Sequence, residues 1–195
     1  YDITTRLVGS EMCIRDRFVV KCFAGVILQK IEVDEMSNLN EKKQCVEEAF
    51  KELDWKYRSN ELEEKCLFQT GVQLGEESKI SKITFNIEVR ESFILITSIC
   101  DIKADIDNIA RMSEYICRVN WGLINGNFEY NYDNGNIRYK IYIDTEERQS
   151  SKKEIITSII ISAEMWSKYG NGLMDILGSD RSVKDIIESI ENNKN

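Results

Sequence analysis

Glu114–Asp144 reads EYICRVNWGLINGNFEYNYDNGNIRYKIYID, and its periodicity changes twice. Leading into it, Ile109, Met112, Ile116, Val119 and Leu123 recur at the spacing of a helix with one apolar side. Phe128, Tyr130 and Tyr132 then alternate, as do Ile137, Tyr139, Ile141 and Ile143, which predicts two half-buried strands. Asn134-Gly135 between them predicts a type I′ turn, whose two central residues take positive φ. Tyr132 and Tyr139 fall on the parity expected to face a core, and Arg138, Lys140 and Tyr142 on the other.

Upstream, Val46, Ala49, Phe50 and Leu53 make one stripe and predict an amphipathic helix over 40–53, with Asn38 as cap and Glu41 in capping-box spacing. Trp55 and Tyr57 read as a short strand, followed by an acidic turn around Asn60 to Glu64. Cys66 to Leu74 and Ile83 to Val89 alternate as two further strands. Phe93 to Cys100 is apolar on both parities, which predicts a strand covered on both faces or buried at a dimer contact. Downstream, Ile155, Ile156, Ile159, Ile160, Ala163 and Trp166 define a one-sided helix that Gly170 and Gly172 are expected to stop. Leu173 to Leu177 reads as a short turn. A last helix capped by Ser182 carries Val183, Ile186, Ile187 and Ile190, and the Asn-rich end is expected to fray. Segregated strands and helices in the order α-β-β-β-β-α-β-β-α-α define an α+β class: an antiparallel sheet with helices packed on one face.

An apolar helix ending in Asn, a Gly-x-Phe step, an acidic turn and a second strand occur here as Asn120, Gly126, Phe128, Asp133-Asn134-Gly135 and Tyr139. In that order and spacing, from about Asn38 to the end of the last helix, the chain resembles the YbjN family of small bacterial proteins, described as sensory transduction regulators. The resemblance implies a fold similar to type III secretion chaperones, often dimeric, with no established enzyme activity. It carries no catalytic residues across.

Composition narrows the chemistry. The chain has 195 residues and no histidine, which removes Ser-His-Asp and Cys-His catalysis. Cys13, Cys22, Cys45, Cys66, Cys100 and Cys117 include no C-x-x-C pair, so neither a zinc pattern nor a compact disulfide framework is indicated, and a reducing cytoplasm is the expected compartment. A net charge of −8, with 26 basic residues that form no run, argues against a nucleic-acid partner. No proline divides the chain.

Each remaining constellation has an ordinary explanation. Asp101, Asp105 and Asp107 precede a helix whose N-terminus attracts carboxylates, and Asn108-Ile109 breaks the calcium-loop template. Asp133 is a turn-former. Gly170-Asn171-Gly172 follows a helix rather than a strand, so it does not read as a phosphate loop. No metal or cofactor site follows. Asn120 is expected to bond the backbone near the helix end, and Tyr142 with Arg138 and Lys140 is the type of patch that protein interfaces favour.

Leu7–Arg17, LVGSEMCIRDR, resembles translated sequencing-adapter bases, so 1–17 reads as an artefact, 18–35 as an unassigned extension and 36–195 as the domain. Lys21 interrupts the apolar run Phe18 to Leu28, which is too short to span a bilayer. The expected function is a non-enzymatic, protein-binding regulatory adaptor and homodimer that does not engage a membrane, with a basic or amphipathic partner segment favoured by the acidic charge. The alternative is a small-molecule sensor whose pocket, between the central helix and the sheet, is lined by Trp121 and Phe128.

Overall fold

Phe68, Ile87, Ile96 and Ile141 stand in register across four neighbouring strands, and all are buried. The rows beside them hold Cys66, Val89, Ile94 and Ile143 on one side and Thr70, Phe85, Ser98, Tyr139 and Phe128 on the other. Burying each such Phe or Ile contributes about 1.5–3 kcal/mol, so these rows hold the sheet against its helices.

The computed structural model describes residues 38–192. Helix α1 (38–52) leads into β1 (Arg58–Leu62), β2 (Lys65–Gln73), β3 (Lys82–Val89) and β4 (Phe93–Lys103). A 3-10 turn (Ile106–Asn108) opens α2 (Ile109–Trp121), and β5 (Asn127–Tyr130), β6 (Asn136–Asp144), α3 (Lys152–Gly178) and α4 (Val183–Asn192) follow. The six strands form one antiparallel sheet in the order β1-β2-β3-β4-β6-β5, so the chain is α+β as its pattern predicts. Helix α1 already includes Asn38, so its cap lies outside the described residues, as do the proposed artefact 1–17, the extension 18–35 and residues 193–195 of the Asn-rich end.

Polar groups stitch the helices to the buried face of the sheet. Trp166 on α3 donates its indole N–H to Ser98 Oγ at 2.7 Å, and Ser98 and Ser162 share a 2.6 Å hydrogen bond. Lys42 on α1 is buried and donates to the Thr145 carbonyl at 3.0 Å and to the Glu91 carbonyl. Burial lowers its pKa, against the pull of nearby Glu91 and Asp144.

Several local readings are corrected. Trp55 and Tyr57 form no strand; they stack with Phe50, at 6.5 and 5.0 Å between ring centroids, and the strand begins one residue later. The acidic turn expected around Asn60 to Glu64 narrows to Glu63-Glu64, between the paired Leu62 and Lys65, and Asn60 to Leu62 belong to β1. Asn134-Gly135 is not a type I′ turn. Gly135 has φ +72°, whereas Asn134 does not take positive φ, and Gly135 N donates to Asn131 O at 2.8 Å across a longer loop. Tyr132 therefore leaves the strand and is 63% exposed rather than core.

Gly170 and Gly172 do not stop α3, which runs 27 residues to Gly178 and absorbs the turn expected at 173–177. They sit where the helix has least room: a Cβ on Gly170 would lie 2.6 Å from Ile80 Cδ1, and one on Gly172 would lie 2.2 Å from Tyr115 Oη. Glycine here marks close packing. Finally, β4 is not covered on both faces. Ile94, Ile96 and Ser98 are buried, while Phe93, Leu95 and Thr97 on the opposite parity are only partly covered and Ile99 is exposed.

Candidate functional site

Among the described residues, the helices cover one face of the sheet and leave the other open. Its residues can be read across the strands from the register. One row runs Arg58, Gln69, Asn86, Thr97, Lys140 and Asn127. The next runs Asn60, Leu67, Glu88, Leu95 and Tyr142. Thr84, Ile99, Arg138 and Glu129 make a third. Neighbours within a row stand about 4.5–5.5 Å apart, so these side chains form one continuous surface.

Hydrogen bonds order that surface. Gln69 Nε2 donates to Asn86 Oδ1 at 2.9 Å, and Thr97 Oγ1 donates to the Asn86 carbonyl at 3.1 Å. Glu88 accepts from Arg90 Nε at 2.5 Å and pairs with Lys65 at 3.5 Å; the Arg90 bond leads in holding its carboxyl below the ordinary value. Burial would raise the Glu129 carboxyl, but hydrogen bonds from Lys140 and Arg138 outweigh it and the pKa is lowered. Arg90 also lies over the Phe93 ring at 5.8 Å, and Phe93 contacts Tyr142 at 5.4 Å between centroids. A shallow depression of about 370 Å³ lies over Leu67 and Leu95, with Arg58 and Arg138 among its walls.

The residues singled out from the sequence separate into three places. Arg138, Lys140 and Tyr142 share the open face, where Tyr142 is 57% exposed. Asn120, Gly126 and Phe128 meet at the sheet's edge: Asn120 Nδ2 donates to Phe128 O and its Oδ1 accepts from Phe128 N, both at 2.9 Å. The amide thus bonds the following strand rather than the broken helix end. Gly126 has φ +75°, and a Cβ there would meet the Lys140 carbonyl at 2.7 Å. Trp121 stands apart at 93% exposure, so it does not line a pocket with the buried Phe128 as the sensor reading requires. The space beneath α2 and α3 holds Phe128 edge-on to Tyr139 and Trp166, at 4.8 and 5.3 Å. Tyr139 donates to the Asn125 carbonyl, and burial pushes its pKa up to about 12.

Sequence reasoning missed Arg58, Gln69, Asn86 and Glu129, and had Leu95 only as part of the doubly apolar run 93–100. The strand parity that places each on the open face was present, but the pairing that joins them in rows was not. Asp105 spends its carboxylate on Asn108, and among the described residues no three Cys, Asp or Glu gather as a metal site. No helix among them is long and apolar enough to cross a membrane.

The molecule is defined to this extent: an α+β protein whose described residues present an ordered, mostly polar open sheet face with an apolar patch at Phe93, Leu95 and Tyr142. No family model, curated protein or solved structure matches the chain.

Proposed function

We propose that this chain is a non-enzymatic protein-binding adaptor that works through the open face of its sheet. One observation carries the reading. Phe93, Leu95 and Tyr142 form an aromatic and aliphatic patch that the chain's own helices leave open, flanked by the fixed cations Arg138 and Lys140. Aromatic residues and arginine are the types that dominate binding energy at interfaces. The resemblance to the YbjN family points the same way, toward a cytoplasmic regulator without catalytic residues. The described cysteines, all free, support a reducing compartment.

The test is capture by the tagged full-length chain from a lysate of the encoding organism, compared with its Tyr142→Ala variant. A stoichiometric protein partner whose affinity drops by about 2 kcal/mol or more in the variant supports the reading. Retention of every captured protein by Tyr142→Ala removes this face from the function. A homodimer using the same patch would appear as a monomer–dimer equilibrium that Tyr142→Ala shifts to monomer.

A further inference from the structure

We infer that the occupant of the open face is an acidic, extended protein segment with apolar side chains at alternate positions. This deepens the adaptor reading and rests on it. The argument is charge complementarity. The open parity of the six strands, with Arg90 at the end of β3, carries Arg58, Lys65, Lys82, Arg90, Lys103, Arg138 and Lys140 against the carboxylates Glu88, Asp101, Glu129 and Asp144. The face is therefore net positive on a chain whose formal charge is −8. Net charge alone favours a basic partner; the local field on this face reverses that preference.

The distribution is specific as well as positive. Glu88 is taken by Lys65 and Arg90, and Glu129 by Arg138 and Lys140. Among the described residues, Arg58 and Lys82 have no carboxylate partner. Leu67 and Leu95 lie between Arg58 and Arg138 as the floor of the depression, with Gln69, Asn86 and Thr97 beside them. Arg58 and Lys140 end a row across five strands, a span of about 19 Å at ordinary strand spacing. About six residues of extended chain cover it. A carboxylate at one end of such a segment reaches the unpaired Arg58, one at the other end shares Lys140 with Glu129, and apolar side chains between them reach the two leucines. A nucleic-acid strand suits the face less well, because its aromatics, the half-buried Phe93 and the exposed Tyr142, gather at one spot instead of forming a stacking track.

The test uses the same chain and three fluorescent probes: the extended Glu/Leu peptide Glu-Ser-Leu-Ser-Leu-Ser-Glu, about seven residues long, whose Glu and Leu side chains share one face, its Lys/Leu counterpart with Lys in place of Glu, and an oligothymidylate. The Glu/Leu peptide is expected to bind, to weaken with salt, and to weaken about tenfold or more in Arg58→Glu. Arg58 has no ion pair to lose among the described residues, so that variant is expected to keep its fold, checked by circular dichroism. Lys184→Glu on α4, away from this face, is expected to leave affinity unchanged. Tighter binding of the Lys/Leu peptide or the oligothymidylate overturns the proposal, as does equal weakening by both variants. If no probe binds while Tyr142→Ala still loses a captured partner, this inference fails and the adaptor reading stands. If Tyr142→Ala loses nothing either, both fail.

Discussion

Asn120 does for β5 what a neighbouring strand would do. β5 is an edge strand of only four residues, and the side-chain amide pairs with both backbone groups of Phe128. Removing that amide leaves a partly buried N–H and C=O without partners, which costs about 1–3 kcal/mol. Asn120→Ala is accordingly expected to lower the urea midpoint with an unchanged slope. Asn120→Asp turns an acceptor toward the Phe128 carbonyl, so its deficit is expected to shrink on acidification as the carboxyl protonates and donates again. A variant as stable as the parent chain would show that water replaces the amide at no cost. The same scale explains why Asn120 was legible as a structural residue while its partner was not. An amide on an apolar helix announces that it needs a bond, but only the fold decides which of several nearby backbone groups supplies it.

Gly172 sets the approach of α3 to α2. Tyr115 on α2 donates its hydroxyl to the Tyr169 carbonyl at 2.8 Å, directly over Gly172, and burial raises its pKa strongly. Gly172→Ala pushes a methyl group into Tyr115 and Ile190, so a loss of about 1–3 kcal/mol is expected. Gly178→Ala, with nothing within 4 Å of its Cβ, is expected not to destabilise and to gain up to about 1 kcal/mol from helix propensity. Urea titration of the two variants separates packing from backbone freedom; equal losses would deny the packing role. The elements themselves were legible because a period of two or of 3.6 belongs to a single stretch of chain. The glycines at 170 and 172 misled because a helix stop and a helix crossing both use the absence of a side chain. The hairpin misled because Asn-Gly suits several turns, and loop length rather than the dipeptide chose among them.

At the scale of the whole molecule, the open face is locally positive on a chain of net charge −8. Its carboxylates Glu88 and Glu129 are held in ion pairs. That pairing was invisible in the net charge, since it depends on register. It has a consequence for acid stability. Glu88 and Glu129 both titrate below their ordinary value of 4.5 in the folded chain, through hydrogen bonds to Arg90 and to Lys140 and Arg138. Between the folded and unfolded values the unfolded chain binds more protons, so folding is favoured by deprotonation there. The stabilisation is complete above 4.5 and is lost as pH falls through the folded values. Urea midpoints taken from about pH 7 down to about pH 3 are expected to hold level and then decline. Glu129→Gln cannot lose a proton, so its decline is expected to be shallower, with a lower plateau at neutral pH. An acid slope identical to that of the parent chain would show that the Arg138–Glu129–Lys140 cluster is as well solvated folded as unfolded, and would leave the two cations free for a partner's carboxylates at little cost.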